Sequence, residues 1–319
     1  MKYFILTVIL FYSCSKDADL LPSKNAISDL TFEDVVTPKN ISHIDFVNKE
    51  IGYAMDHQCV YKTMDWGKNW QKIYSSQSLV DIQLFDDHHL MVVERGGKDN
   101  AQLLVTTSND DFATKNNVMV CDYNISTEMS TFNDGTAFII NQSGMYKSAD
   151  YGRSWHRMDN VPFRVSEIAR NGNGDLFCES NNSGEVLKSS DQGETWTAVS
   201  TSFESNIQLQ STPSVDQVYF SVDGVLYSTM NFIQWKQEIL EPKVQWNDYL
   251  FVTEEGKKVC FNHNVTLVAM ESPIGLWLVD SNGKIKYETP YDLVLDADEV
   301  TANEFVLLQN SKMVHVTVK

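Results

Sequence analysis

The chain is poor in arginine. Five occur in 319 residues, Arg95, Arg153, Arg157, Arg164 and Arg170, and none follows position 170. Lysine and arginine together number 25 against 43 aspartates and glutamates, giving a formal net charge of −18. Nucleic-acid binding needs clustered cations to neutralise phosphates, so that class is excluded. Adhesion to an anionic membrane by charge alone is excluded for the same reason. Cysteine is scarce: there are five, with no CxxC pair and no Cys/His spacing that would hold zinc. Cys59, Cys121, Cys178 and Cys260 fall in strands of different repeats, where cysteine serves as a small buried hydrophobe, so free thiols are expected. The adjacent pair His88-His89 points to opposite faces of a strand or turn and shares no metal. No metal or cofactor is expected. No segment carries a sustained helical period, and no apolar run reaches the roughly 20 residues that span a bilayer as a helix.

What is present starts with a leader. Lys2 precedes a nine-residue apolar stretch, Phe4–Tyr12, interrupted only by Thr7, and Ser13-Cys14 follows at once. A basic start and a short apolar core suit an export signal. A cysteine at the end of such a core resembles the lipobox of bacterial lipoproteins, although Phe11-Tyr12 replaces its usual residues. Ser15-Lys-Asp-Ala-Asp19 resembles the acidic export tag of surface lipoproteins in Bacteroidota-like bacteria. The resemblance implies a signal peptide over residues 1–14, a lipidated Cys14, and lipid-anchored placement at the outer membrane, exposed at the surface. Membrane contact would then be through the lipid only. Ordinary cleavage with loss of Cys14 is the alternative. Residues 15–29 lack any period and read as a tether to a domain over 30–319.

Three stretches are near copies: Tyr61-Lys-Thr-Met-Asp-Trp-Gly-Lys-Asn-Trp70, Tyr146-Lys-Ser-Ala-Asp-Tyr-Gly-Arg-Ser-Trp155 and Leu187-Lys-Ser-Ser-Asp-Gln-Gly-Glu-Thr-Trp196. The pattern reads as a tight turn between strands. Asp65, Asp150 and Asp191 can fold back onto backbone N–H groups in an Asx-type turn. Gly67, Gly152 and Gly193 supply a positive φ. Trp70, Trp155 and Trp196 open the next strand and pack beside the turn. Carboxylates held by several N–H donors have depressed pKa values and make poor general acids, so these aspartates read as structural. Asp150 and Asp191 lie 41 residues apart. Degenerate copies at Tyr227–Trp235, with Asn231 in the aspartate's place, and at Val105–Asn109 keep a spacing near 40. A fixed period of this size marks a repeat fold. The motif resembles the Asp-box, or BNR, repeat of sialidase-type β-propellers. That group also includes other propeller glycosidases, sortilin-type receptors and the photosystem II assembly-factor family.

The remaining sequence follows one grammar of short alternating runs broken by Asn, Asp, Gly and Ser. It predicts an all-β, seven-bladed propeller of four-stranded antiparallel blades. The first blade is read as Ile41–Val47, Ile51–Met55, Val60–Met64 and Trp70–Tyr74. Four similar blades follow, the fifth ending at Ile239. The sixth is irregular, with strands at Leu250–Thr253, Val265–Met270, Leu276–Val279 and Ile285–Glu288. The tail offers three strands, Leu293–Ala297, Glu304–Leu308 and Met313–Val318. Leu30–Val36 is expected to complete that last blade and close the ring, removing open sheet edges.

Chemistry is harder to read. The resemblance to sialidases would imply three arginines spread over separate blades, and the five present cannot supply them. Pro162-Phe-Arg-Val165 is similar to the sialidase Phe-Arg-Ile-Pro signature but lies mid-chain without the final proline. No catalytic residue is assigned. The resemblance places ligands on the face opposite the Asp-boxes, where Asp56, His57, Glu94, Arg95, Tyr123, Arg164 and Tyr291 are candidates: flat rings for apolar surfaces, forked polar groups for hydroxyls. A glycosidase would instead use two carboxylates about 5 to 10 Å apart, drawn from Asp56, Glu94, Asp99, Asp223 and Glu271. The leading expectation is a monomeric, non-catalytic surface lipoprotein that binds a glycan or a protein. The alternatives are a glycoside hydrolase and an assembly factor for a membrane complex.

Overall fold

A computed structural model describes residues 30–123, 127–159, 161, 166–210, 216–239, 248–253, 256–262, 276–280, 285–289, 294–309 and 312–319. Residues 1–29, which include Cys14 and the segments expected to be leader and tether, lie outside the described residues, as do Arg164, Glu271 and Tyr291. Strand β1 (Leu30–Val35) is set aside by the chain for its last blade. Blade one is β2 (His43–Phe46), β3 (Gly52–Met55), β4 (Cys59–Thr63) and β5 (Gln71–Ser75). Blade two is β6 (Leu79–Leu84), β7 (Leu90–Gly96), β8 (Gln102–Ser108) and β9 (Asn116–Asp122). Blade three is β10 (Glu128–Thr131), β11 (Ala137–Asn141), β12 (Gly144–Ser148) and β13 (His156–Met158). Blade four is β14 (Ala169–Arg170), β15 (Leu176–Glu179), β16 (Glu185–Ser189) and β17 (Thr197–Ser200). Blade five is β18 (Gln208–Gln210), β19 (Val218–Val222), β20 (Val225–Thr229) and β21 (Trp235–Ile239). Blade six is β22 (Asp248–Val252), β23 (Lys258–Asn262), β24 (Leu276–Val279) and β25 (Ile285–Thr289).

The tail provides β26 (Val294–Thr301), β27 (Glu304–Gln309) and β28 (Met313–Val318), and β1 pairs with β28 from Leu30↔Val318 to Val35↔Met313. The order β1-β28-β27-β26 makes this the seventh antiparallel sheet of four. The ring is closed by the N-terminal strand, as the unassigned run at Leu30 implies. Apart from a single turn of 3₁₀ helix at Lys98–Asn100, no helix occurs among the described residues.

Second strands are short continuous apolar runs because they are covered on both faces: Ala137–Asn141 and Val218–Val222 are buried throughout. The core therefore lies between blades. Tyr53, Met55 and Val60 of blade one pack on Ile82, Leu90 and Val92 of blade two, and equivalent layers recur around the ring.

Two sequence expectations need correction. The second strand of blade six is β23 at Lys258–Asn262; the segment Val265–Met270, read as that strand, lies outside the described residues. Lys258 sits in β23 because its Nζ reaches Glu238 Oε2 at 2.9 Å, with both side chains 3 % exposed, so a buried charge occupies an apolar position. The degenerate turn of blade two is built on Asp110 rather than Asn109, with Ser108 in front of it.

Candidate functional site

The first-to-second-strand turns and the repeated Asp turns share one face. The second-to-third-strand loops and the links between blades share the other. Each Asp turn uses the same bonds. In the fourth blade Ser189 Oγ donates to Asp191 Oδ1 at 2.8 Å and accepts the Gly193 N–H at 2.8 Å. Asp191 then accepts the Thr195 N–H at 2.9 Å and the Thr195 hydroxyl at 2.6 Å. Thr63–Asp65–Gly67, Ser108–Asp110–Phe112 and Ser148–Asp150–Gly152 repeat this arrangement. Trp155 and Trp196 fasten it by donating Nε1–H to the Gly152 and Gly193 carbonyls.

These bonds hold the carboxyls low. Asp191 falls to about 2, first through the Thr195 hydroxyl and then its N–H. Asp65 is lowered chiefly by Asn69, and Asp110 by Thr114. Their oxygens are occupied within their own turns, so they neither converge on one another nor offer a free acceptor to a ligand.

The residue after each aspartate also adopts a positive φ: Trp66 at 60°, Asp111 at 54°, Tyr151 at 60° and Gln192 at 59°. At three of these turns that residue meets the preceding blade. Trp66 meets His315 in a tilted ring contact with centroids 3.9 Å apart, Tyr151 stacks on His89 at 3.8 Å, and Asp111 pairs with Lys62 at 2.8 Å. The motif lysine works the same seam, since Lys147, 2 % exposed, pairs with Glu194 of the following turn.

The candidates on the opposite face do not form one site. Asp56 caps its own loop, accepting the Gln58 N–H at 2.7 Å, the Cys59 N–H at 2.6 Å and the Tyr61 hydroxyl at 3.0 Å. Glu94 is buried between blades one and two, taking hydroxyls from Tyr74 and Thr106, each at 2.9 Å. His57 is exposed. Arg95 lies over the Tyr123 ring at 4.4 Å, the one pairing recorded among the described candidates. Among the described residues, no disulfide joins Cys59, Cys121, Cys178 or Cys260.

A different cluster faces the channel. His43 and Asp45 alternate on β2, Asp296 and Asp298 on β26, and Asp81 and Gln83 on β6. Period-two spacing puts each pair on one side of its strand. His43 Nδ1 lies 2.7 Å from Asp296 Oδ2, and its Nε2 lies 3.5 Å from Asp81 Oδ1. Protein surrounds these groups, yet 25 % of the His43 side chain and 20 % of the Asp81 side chain touch solvent, as expected inside a water-filled channel.

Electrostatics here run opposite to the Asp turns. Burial alone would lower His43, but Asp296 and then Asp81 outweigh it and hold the imidazole well above its ordinary value. Asp45 rises to about 7, mainly through burial. Asp81 is raised by burial, and Asp298 is raised strongly by burial and then by Asp45. Glu128 on β10 is raised too, by burial and then by Asp81. Carboxyls raised above their ordinary range beside a charged imidazole can bind a cationic group or exchange protons. Among the described residues no group of three His, Cys, Asp or Glu side chains is arranged to hold a metal ion.

No protein-family model matches the chain, and no curated protein matches it. Solved structures match in fold. YCF48 bound to D1 peptide is 13 % identical, with a TM-score of 0.56, covering 91 % of this chain and 97 % of that one. Virginiamycin B lyase from Staphylococcus aureus is 10 % identical, with a TM-score of 0.65, covering 91 % of this chain and all of that one. PorZ, a surface component of the type-IX secretion system of Porphyromonas gingivalis, is 11 % identical, with a TM-score of 0.55; the match covers 86 % of this chain and 36 % of PorZ. Identities this low establish the propeller and leave its activity to the site itself.

Proposed function

We propose that this chain is a binding propeller whose channel receives a cationic segment of a partner protein, entering from the face opposite the Asp turns. The reading rests on one observation. Four aspartates and one imidazole from three neighbouring blades crowd a solvent-reached channel, and His43 is the one cation recorded among them. A lysine or arginine side chain would relieve the repulsion between those carboxylates and gain charge-assisted hydrogen bonds. YCF48 with its bound peptide offers a precedent in the same fold. The Asp turns fit the Asp-box of sialidase-type propellers, and their part here is to brace the blades. Anchorage through a lipidated Cys14 at the outer-membrane surface belongs to the same proposal and would present the propeller to extracytoplasmic proteins; radiolabelled palmitate incorporation, lost in Cys14→Ala, tests it.

The binding test uses a fluorescent lysine-rich peptide and its fully acetylated counterpart. The expected outcome is saturable anisotropy for the first, at least tenfold weaker binding for the second, and a similar loss in Asp81→Asn. Equal binding of both peptides contradicts the reading. A second reading is favoured by the raised Asp45 and Asp298 carboxyls, because a carboxyl held above its ordinary range is what a glycoside hydrolase uses as its acid. Aryl-glycoside turnover abolished by Asp298→Asn would select that reading over simple binding.

A further inference from the structure

The ring is closed without a covalent bond, in part by two sets of hydrogen bonds. On the outside, β1 pairs with β28. On the inside, blade seven reaches blade one through side chains: Asp296 Oδ2 accepts the Ile44 N–H at 2.7 Å, and Asp298 Oδ2 accepts the Phe46 N–H at 2.5 Å. These are amides of an inner strand edge that no neighbouring strand pairs, and they need acceptors. The device is repeated once, where Asp45 accepts the Leu84 N–H of blade two at 3.1 Å. Elsewhere among the described residues the corresponding links are neutral. Ser130 Oγ accepts the Ile168 N–H at 3.0 Å, and the Thr131 hydroxyl donates to the Leu84 carbonyl at 3.0 Å. Carboxyl-to-amide links between inner strands therefore gather at and beside the closure of the ring.

Among the described residues, these titratable groups are recorded around the inner side of the seam. From β26 come Asp296 and Asp298, from β2 His43 and Asp45, from β6 Asp81, and from β10 Glu128 against Asp81. Five acids thus face one imidazole. We propose that the seam between blades one and seven is a proton-operated clasp, shut while His43 and its neighbouring carboxyls hold protons and loosened as they lose them. A neutral carboxyl still accepts an amide hydrogen through its carbonyl oxygen, so protonation leaves the links intact. Ionisation keeps the acceptors but adds like charges at close range in a poorly hydrated site, where repulsion is far stronger than in bulk water. Loss of the His43 proton then removes the one positive charge recorded beside these carboxyls among the described residues. The raised carboxyls and imidazole described above lie in the direction this requires. Opening would be local, because the β1–β28 ladder outside carries no such cluster.

Hydrogen exchange on the full chain tests the clasp, with rates corrected for the intrinsic pH dependence of exchange. Between pH 6 and pH 9 the Ile44 and Phe46 amides should lose protection at least tenfold more than amides of β11 and β15. Asp298→Asn keeps an acceptor oxygen without the charge and should flatten that loss. His43→Gln removes the cation and should move the loss to lower pH. Parallel loss in β2, β11 and β15 would overturn the clasp, as would an Asp298→Asn profile identical to that of the unaltered protein. Should Asp298→Asn fail to fold, an unshifted His43→Gln profile is the overturning result.

Discussion

The molecule holds two populations of aspartate that share a side chain and little else. Asp65, Asp110, Asp150 and Asp191 sit at the rim, each bonded within its own turn and held below the usual carboxyl range. Asp45, Asp81 and Asp298 sit in the channel and are held above it. Local donors make the difference. A rim aspartate meets backbone and hydroxyl donors supplied by residues two to four positions away, so its anion is stabilised by the sequence around it. Asp45 and Asp298 each receive one backbone amide, Asp81 receives the Ile82 N–H and the Gln83 side-chain amide, and all three face other acids brought from distant parts of the chain. Motif residues thus build the scaffold, and residues outside any motif carry the electrostatic stress that marks a candidate site.

Substitutions can break this contrast, and the rim should suffer most. Gly193 has φ +87°, and a Cβ there would lie 2.5 Å from Phe138 Cζ of the preceding blade. Gly193→Ala should cost about 2–4 kcal/mol, from overpacking of roughly 1–3 plus left-handed strain of about 1, read by chemical denaturation. Ser189→Ala comes next. It strips the acceptor from the buried Gly193 N–H and should cost about 1–3 kcal/mol. In the channel the sign should invert. Asp45→Asn removes a charge the folded state resists and should raise Tm at pH 8 by about 1–2 °C, what ~1 kcal/mol is worth in a domain of this size. Arg95→Ala, on an exposed ring contact, should stay within about 0.5 kcal/mol.

Acidity sharpens the same contrast. A rim carboxyl has a folded pKa below its unfolded value of about 4. Its stabilisation is present above pH 4 and is lost as pH falls toward about 2, the value of Asp191. A channel carboxyl has a folded pKa above its unfolded one. The folded state therefore binds the extra proton between about pH 4 and 7, the value of Asp45, and stability falls as pH rises through that window. His43 extends the decline upward, since its raised imidazole also releases its proton later in the folded state. Denaturation midpoints across pH 2 to 9 should therefore peak on the acid side of neutrality, near pH 4 to 5.

The rim was legible in the sequence because its chemistry is local. Ser189, Asp191, Gly193 and Thr195 all lie within seven residues, so spacing alone exposes the turn. The closing strand was legible because three tail strands needed a fourth. Asp110 was misplaced by one residue because Phe112 takes the glycine position, with φ +65°, and hides the pattern. Glu94 and Asp56 read as free because the partners that occupy them, Tyr74 and Thr106 for one and Tyr61 for the other, are not part of any motif. The channel cluster went unread because it is assembled from residues 43, 81 and 296, which only ring closure brings together. One signal was available. His43-Ile-Asp45 and Asp296-Ala-Asp298 both place ionisable residues at alternate positions in the first strand of a blade, where they share one face.

Carboxyl carbon chemical shifts of the aspartates, followed by NMR from pH 2 to pH 9, address the division between scaffold and site most directly. Asp191 should titrate near 2 and Asp45 near 7. Asp45 titrating near 4, together with Asp191 at or above its unfolded value, would contradict it.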